Sequence, residues 1–204
     1  VCNRHGGIGA DGLIFYRCTA SGAAMKLYNA NGTMAEVSGN GVRCLAAIIV
    51  DDLMTDISLS KDVPEIVIET DGGIKTLALL LAEPPRYNFR AFMGEPKDIR
   101  QRQLSVQGEQ VQVVTLSVGN PQCIVLTDNL KEDHFRFLGP ALSTHEDFPQ
   151  GTNVEFVQVE RSDRLRILIW ERGVGPTTSS GTGACASAVA TAFLGMTDRK
   201  VEVI

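Results

Sequence analysis

Two short stretches have the residue types and spacing for anion binding and proton chemistry. Residues 38–41 read Ser-Gly-Asn-Gly and residues 180–183 read Ser-Gly-Thr-Gly, and each precedes a small-residue, apolar segment with a cysteine near its start. The beginning of a helix carries backbone N–H groups without partners and a partial positive charge, which together attract carboxylates. Either loop alone is most simply an ordinary glycine-capped helix start. Their repetition, one in each half of the chain, predicts two half-sites for one small anionic substrate.

The composition is that of an ordinary globular protein and argues against several functions. The 204 residues are 44% hydrophobic and 21% charged, with a net charge of −5. Scattered Lys and Arg residues give no basic face for nucleic acid, and no apolar run reaches membrane-spanning length. The five cysteines are unevenly spaced, which favours reduced thiols in a cytoplasm over a disulfide framework.

Two further patterns are rejected as functional sites: a glycine-rich motif near the N-terminus and the three histidines. Residues 7–12 contain a literal G-x-G-x-x-G, but polar residues precede it and the β-type run 13–16 follows it, which is the wrong context for a dinucleotide. His5, His134 and His145 are too dispersed for a zinc site. The abrupt start and the strand-like final residues, Lys-Val-Glu-Val-Ile, indicate that terminal segments are missing.

Alternating and apolar runs predict the same order of elements in both halves. The first half has predicted strands at 13–16, 24–28 and 87–93, a hairpin over 65–82, and a helix from the Ser38 loop to about residue 53. The second half has predicted strands at 110–118, 123–127, 154–160 and 165–170, a loop-rich passage at 138–153, and a helix after residue 180. The polar, proline-flanked stretch 96–103 is the predicted domain boundary.

Both central helices are apolar on most faces, which is typical of a helix wrapped by a sheet. We therefore expect an α+β protein of two similar domains, with the site in the cleft between them.

Seven motifs resemble, in the same order, those of the diaminopimelate epimerase family. They lie at residues 4–12, 28–32, 39–44, 119–121, 152–153, 171–175 and 181–185. Several motifs in order over almost the whole chain are far more specific than any one of them.

The resemblance implies two pseudo-symmetric domains, each a curled mixed or antiparallel sheet around a central helix. The first domain would span residues 1–100 and lack its opening segment. The second would span residues 101–204 and lack its terminal strands. It also implies a cytoplasmic enzyme that uses no pyridoxal phosphate or metal. The enzyme would interconvert LL- and meso-2,6-diaminopimelate for lysine and peptidoglycan synthesis, and a homodimer is possible.

In the family, one group removes the α-proton from one face of the substrate while another delivers a proton to the opposite face. By resemblance, Ser38 and Ser180 occupy the positions of the two catalytic cysteines, and Gln122 occupies that of a histidine. A serine hydroxyl is a much weaker acid than a thiol, so it needs a neighbouring base. Glu171 is the predicted neighbour of one serine, and the sequence offers no partner for the other.

The resemblance also assigns substrate-binding residues. The carboxylate cradle would be formed by Gly39, Asn40, Gly181 and Thr182, and the distal groups would be held by Asn29, Asn120, Asn153, Glu171 and Arg172. Taken singly, each Asn is more simply a turn cap and the pair 171–172 a surface charge pair. Cys44 and Cys185 match cysteines that the family carries beside its catalytic pair, and we expect them to be small, buried packing residues.

Three hypotheses follow. The first is a diaminopimelate epimerase that works, or is strongly slowed, with two serines. The second is a related proline or hydroxyproline epimerase or dehydratase, against which the distal-group residues argue. The third is a non-catalytic diaminopimelate-binding protein.

Overall fold

The structure, a computed structural model, describes residues 1–56 and 65–204. The described chain divides into two compact units, Val1–Gly94 and Glu95–Ile204. Each unit contains one mixed sheet with helical cover, so the predicted α+β class is confirmed.

In its described residues, the first unit consists of a six-stranded sheet and one helix. Its strands are β1 (Gly12–Thr19), β2 (Gly22–Asn29), β3 (Met34–Ala35), β4 (Ile66–Thr70), β5 (Gly73–Glu83) and β6 (Arg86–Phe92). They pair in the order β1-β2-β4-β5-β6, with β3 on β2, and only β2 and β4 run parallel. The helix α1 (Gly39–Asp56) lies between β3 and β4 in the chain. The predicted strands, hairpin and helix of this half are confirmed.

One face of α1 packs against the sheet. Val42, Leu45, Ala46 and Val50 are buried with apolar residues of β2, β4 and β5. Their spacing of three and four residues places them on a single helical stripe. Cys44 lies off this stripe and is exposed, so the expectation that it is a buried packing residue is wrong.

The second unit is a seven-stranded sheet with two helices. Its strands are β7 (Lys97–Val106), β8 (Glu109–Ser117), β9 (Pro121–Leu126), β10 (Asn153–Arg161), β11 (Arg164–Glu171), β12 (Gly175–Thr177) and β13 (Glu202–Val203). Its helices are α2 (Glu132–Ser143) and α3 (Gly181–Phe193). The strand order is β12-β11-β10-β9-β8-β7, with β13 on β11, and β9 and β10 run parallel.

This sheet is covered by a different helix on each face. Phe135, Leu138 and Leu142 of α2 pack with Cys123, Val154 and other residues of one face. Ala186 and Ala190 of α3 pack with Ile124, Val157 and their neighbours on the opposite face. Because side chains alternate along a strand, adjacent residues of β9 and β10 serve two separate cores.

The helix α2 was not predicted, and the predicted loop over 138–153 is wrong for its first six residues. Gly139 and Pro140, residue types that disfavour a helix interior, both lie inside the helix. A Cβ at position 139 would lie 3.1 Å from Trp170 Cε3, so a larger residue there would require the indole ring to shift. The amphipathic pattern that buries Phe135, Leu138 and Leu142 therefore outweighs the local preference of glycine and proline.

The stretch 96–103 was interpreted from sequence as the domain boundary. Residues 97–103 form most of β7 in the second unit, and the units divide between Gly94 and Glu95. Most residues of this strand are exposed and therefore polar. The sequence of the strand resembled that of a linker for this reason. Among the described residues, no helix has the length and apolar character required to cross a membrane.

We predict that Gly22→Ala destabilises the first unit strongly. Gly22 has φ +152°, and a Cβ there would lie 2.1 Å from the Val67 carbonyl oxygen, in the parallel pair of β2 and β4. The free energy of unfolding should fall by more than about 3 kcal/mol in urea denaturation.

The matched control is Gly73→Ala. Gly73 has φ +90°, and a Cβ there would have no atom within 4 Å, so only the backbone strain of about 1–2 kcal/mol applies. Equal losses in the two variants would contradict the steric explanation.

Candidate functional site

The two serine loops adopt the same local structure. Ser38 Oγ accepts a hydrogen bond from Gly41 N at 3.0 Å, and Ser180 Oγ accepts one from Gly183 N at 3.1 Å. In each loop the serine carbonyl also accepts the first helical hydrogen bond. Each serine is therefore an N-cap whose hydroxyl satisfies the third N–H of its helix. Both side chains are partly buried.

This arrangement leaves two N–H groups at each helix start outside the helix's own hydrogen bonds. They belong to Gly39 and Asn40 in α1 and to Gly181 and Thr182 in α3. With the positive end of each helix, these groups can bind a carboxylate. The N–H that each serine oxygen accepts also favours negative charge on that oxygen.

The other predicted residues of the first unit have local partners. Asn29 Nδ2 donates to Thr33 Oγ1 at 3.1 Å at the end of β2. This is the turn-capping role that the sequence offered as the simpler alternative. Asn40 Oδ1 accepts from the Arg43 guanidinium one turn further along α1.

In the second unit, predicted residues from two separate segments meet, together with Gln122, in one polar group. The hydroxyls of Ser180 and Thr182 lie 3.4 Å apart, and either can be the donor. Asn120 Nδ2 donates to Thr182 Oγ1 at 3.4 Å, and Gln122 Nε2 donates to Asn120 Oδ1 at 2.7 Å. Asn120, Gln122 and Thr182 are buried.

The buried glutamate Glu155 completes this group. Gln122 of β9 pairs with Asn153 of β10, and Glu155 lies two residues further along the same face of β10. The Gln122 amide lies 3.1 Å from both carboxyl oxygens of Glu155. A Cβ on Gly183 would lie 2.5 Å from Glu155 Oε1, so the carboxyl lies directly under the first turn of α3.

Burial raises the pKa of Glu155 well above its ordinary value, and the nearby Glu171 carboxylate raises it further. The neutral carboxylic acid is therefore the favoured form over a wider pH range than for an exposed glutamate.

Glu171 ends β11 and Arg172 follows it, and both are half-buried, so they are not an exposed charge pair. Glu171 Oε1 accepts from Thr177 Oγ1 at 3.0 Å. The backbone N–H of Arg172 donates to Asn153 Oδ1 at 2.9 Å, and its guanidinium donates to the Gln150 carbonyl at 3.0 Å. Asn153 and Arg172 are thus joined across neighbouring strands.

Three residues of this region were missed from sequence as parts of the site: Gln122, noted only as a departure from the family, and Glu155 and Thr177. Glu155 had a recognisable signal. It is a lone charge in the apolar run 154–157, at an alternation that places it on a covered face of the sheet.

All five cysteines are free thiols, with Cys18 and Cys44 exposed, Cys2 and Cys185 half-buried and Cys123 buried. Burial raises the pKa of Cys123, and the nearby Glu155 contributes in the same direction. A neutral, buried thiol is a poor proton acceptor, so Cys123 is not a substitute for a catalytic cysteine.

Comparison with known proteins defines the family. The diaminopimelate epimerase family model matches residues 114–204. Over 212 aligned residues the chain is 36% identical to diaminopimelate epimerase of Heliobacterium modesticaldum, covering all of this chain and 75% of that protein. It is 38% identical over 217 residues to diaminopimelate epimerase 1 of Nostoc sp., covering all of this chain and 76% of that protein.

The chain belongs to the diaminopimelate epimerase family. Its fold also matches a crystal structure of a hydroxyproline epimerase from Agrobacterium vitis with a TM-score of 0.72 at 15% identity. That match covers 93% of this chain and 63% of the other, and it supports the two-unit α+β fold of the family.

We predict that Glu155→Gln flattens the pH dependence of stability. Because the pKa of Glu155 is raised in the folded state, the folded protein retains a proton that the unfolded chain releases above about pH 4.5. The free energy of unfolding of the wild type should therefore fall relative to that of the variant as the pH rises from about 4.5 towards the pKa of Glu155 in the folded protein. The difference should change by up to about 1.4 kcal/mol per pH unit, the limit for one proton.

The measurement is urea denaturation across the pH range. Glu95→Gln, at an exposed position before β7, is the matched control and should parallel the wild type. Parallel curves for wild type and Glu155→Gln would contradict the prediction.

We also predict a wide range of thiol reactivity in the folded protein. Cys18 and Cys44 should be alkylated by iodoacetamide at least about 100-fold faster than Cys123, because only an accessible thiolate reacts. Peptide mass mapping after timed labelling measures each rate. Comparable labelling of Cys123 and Cys44 without denaturant would show that Cys123 is accessible.

Proposed function

We propose that this protein is a cofactor-independent epimerase of LL- and meso-2,6-diaminopimelate, acting in the cytoplasm in lysine and peptidoglycan synthesis. Ser38 and Ser180 would exchange protons with opposite faces of one α-carbon. Membership of the diaminopimelate epimerase family carries this proposal.

The local structure of the two loops supports these roles. Each serine oxygen is an N-cap acceptor at the positive end of its helix, where the N–H groups of the first helical turn can bind a carboxylate. Charge that develops on the substrate carboxylate as the α-proton leaves would be stabilised by these N–H groups. The same polarity stabilises the serine oxygen when it lacks a proton.

The proton balance is closed within one turnover. One serine, as the alkoxide, takes the α-proton and becomes a hydroxyl. The second serine, as the hydroxyl, gives its proton to the opposite face of the carbanion and becomes the alkoxide. Each turnover therefore inverts the α-carbon and exchanges the roles of the two serines, ready for the reverse direction.

The distal end of the substrate carries a second ammonium and carboxylate. We propose that Asn120, Asn153, Glu171 and Arg172 bind these groups, with Asn29 of the first unit. The link between Asn153 and Arg172 supports a common role, because it ties the Asn153 side chain to the Arg172 backbone just after β11. Arginine can bind a carboxylate through two parallel hydrogen bonds, which suits orientation of the substrate.

The weak acidity of serine predicts a slow enzyme. The double variant Ser38→Cys/Ser180→Cys should exchange the α-proton of diaminopimelate about 10²–10⁴-fold faster than the wild type, because a thiolate is populated near neutral pH and an alkoxide is not. The measurement is α-proton exchange and inversion of LL-diaminopimelate in deuterated water, followed by NMR.

Ser180→Ala and Ser38→Ala should each lose inversion and cost about 0.5–2 kcal/mol of stability through the lost cap. Ser162→Ala and Ser21→Ala, at exposed turn positions of the second and first unit, are the matched controls and should retain the wild-type rate. Inversion that survives both loop substitutions would overturn the assigned roles.

The same experiment separates the alternatives. Binding of diaminopimelate without exchange by the wild type, and with exchange by the double cysteine variant, identifies a binding protein that keeps the substrate site. Turnover of hydroxyproline isomers with none of diaminopimelate would identify the second alternative.

A further inference from the structure

The two serine loops differ in what lies beneath their third helical residue. A Cβ on Gly41 would meet Ile14 Cδ1 at 3.1 Å, an apolar neighbour. A Cβ on Gly183 would meet Glu155 Oε1 at 2.5 Å, a carboxyl that is completely buried. Two loops with the same backbone and cap therefore have different chemistry behind them.

A continuous path of polar groups joins this carboxyl to Ser180. It runs from Glu155 to the Gln122 amide, then to Asn120, to the Thr182 hydroxyl and to Ser180 Oγ, with separations of 3.1, 2.7, 3.4 and 3.4 Å. Four of the side chains on this path are amides or hydroxyls, which both donate and accept. The direction of the hydrogen bonds along such a path can reverse as a unit.

One direction requires a neutral Glu155. Gln122 Nε2 then donates to Asn120 Oδ1 and Asn120 Nδ2 donates to Thr182 Oγ1. The Gln122 oxygen faces both oxygens of Glu155, so the carboxyl must donate its own proton to it. At the far end the Thr182 hydroxyl donates to Ser180 Oγ, which leaves the Ser180 proton free to be given to a substrate.

The opposite direction suits the ionised carboxylate. The Gln122 amide is turned, so that its nitrogen donates to both oxygens of Glu155 and its oxygen accepts from Asn153 Nδ2 at 3.1 Å. The amide of Asn120 turns with it, Thr182 donates to Asn120, and Ser180 must donate to Thr182. In this state the Ser180 proton is held inside the protein.

Groups on the neighbouring elements favour one or the other of these two hydrogen-bond directions. Asn153 favours the second direction, because its Oδ1 accepts the Arg172 N–H and its Nδ2 points to Gln122. Glu171 of β11 and burial raise the pKa of Glu155 and favour the first. Cys123 of β9 is also close, and its pKa is raised. The first turn of α3 has no acidic side chain.

We propose that Glu155 is a positioning residue whose protonation state sets the direction of the hydrogen bonds at Ser180 and thereby determines whether the Ser180 hydroxyl can give its proton to a substrate. This role rests on the proposed function for its catalytic meaning. Its structural part, the coupling of Glu155 to Ser180, does not. Ser38 has an apolar side chain in the equivalent place and lacks this control.

The first test needs no turnover. The side-chain amide signals of Asn120 and the methyl signal of Thr182 are followed by NMR against pH in labelled protein, with the Asn40 side-chain amide as the control from the first loop. The Asn120 and Thr182 signals should titrate with the Glu155 carboxyl carbon, and the Asn40 signal should not. Glu155→Gln should abolish the titration, because glutamine stays a neutral donor.

Gln122→Leu is the second variant. It leaves Glu155 in place but interrupts the path, so Asn120 and Thr182 should no longer follow the carboxyl. A titration that persists in Gln122→Leu would overturn the proposal, because the field of the carboxylate alone would then explain it. Asn120 and Thr182 signals that do not shift with pH as Glu155 titrates in the wild type would also overturn the proposal.

The second test uses exchange of the α-proton of diaminopimelate. The ratio of the wild-type rate to the Glu155→Gln rate should be near one at low pH and fall roughly ten- to hundredfold through the pH at which Asn120 titrates, with KM unchanged. A structural role for Glu155 would instead lower the rate of the variant at every pH. Equal pH profiles in the two proteins would overturn the catalytic part of the proposal.

The two tests separate this inference from the proposed function. Coupled titration in a protein that exchanges no α-proton, even with cysteine at both serine positions, supports the positioning role and rejects the epimerase. Exchange without coupled titration supports the epimerase and rejects the positioning role.

Discussion

The close packing of the first turn of α3 on a buried carboxyl constrains the whole second unit. Position 183 must lack a side chain, because Glu155 Oε1 occupies the space that a Cβ would need. That contact is possible only if β10 presents Glu155 to the α3 face, which fixes its register with β9 and places Gln122 and Asn153 beside it. Small residues along α3, such as Ala186 and Ala190, then allow the helix to lie close to the sheet.

Burying so many polar groups is tolerated because they satisfy one another. Asn120, Gln122, Asn153 and Thr182 each have a hydrogen-bond partner within the group or on a neighbouring strand. Deeper in α3, Ser187 Oγ donates to the Gly183 carbonyl at 2.8 Å, so its hydroxyl is satisfied by its own helix. A satisfied network of this kind holds side chains in one arrangement, which is what a site for proton transfer requires.

The serines at the two loops combine a structural and a chemical role. As N-caps they stabilise their helices, each by about 1 kcal/mol. The same position, at the positive end of a helix and next to an N–H donor, is where a deprotonated side chain is most easily held. Stability and chemistry thus favour the same geometry, and replacing the hydroxyl changes both.

The sequence by itself determined the family, the fold class and the main strands. Ordered motifs and period-two alternation depend on local residue types, and the hairpin over 65–82 and the Ser38 and Ser180 loops could be predicted for that reason. It did not predict α2, because Gly139 and Pro140 argue locally for a break and only packing against Trp170 and its neighbours overrides them. The polar strand β7 resembled a linker because most of it is exposed.

Only the tertiary structure decided how the chemistry of the second unit is arranged. Gln122, Glu155 and Ser180 lie far apart in the chain, and their connection depends on the parallel register of β9 and β10 and on the close approach of α3. Hydrogen bonds are directional and act over about 3 Å, so no pattern along the chain could reveal which polar residues share them. The repeated Ser-Gly-x-Gly letters predicted two equal loops, and the fold gave them unequal surroundings, Ile14 beneath one and Glu155 beneath the other.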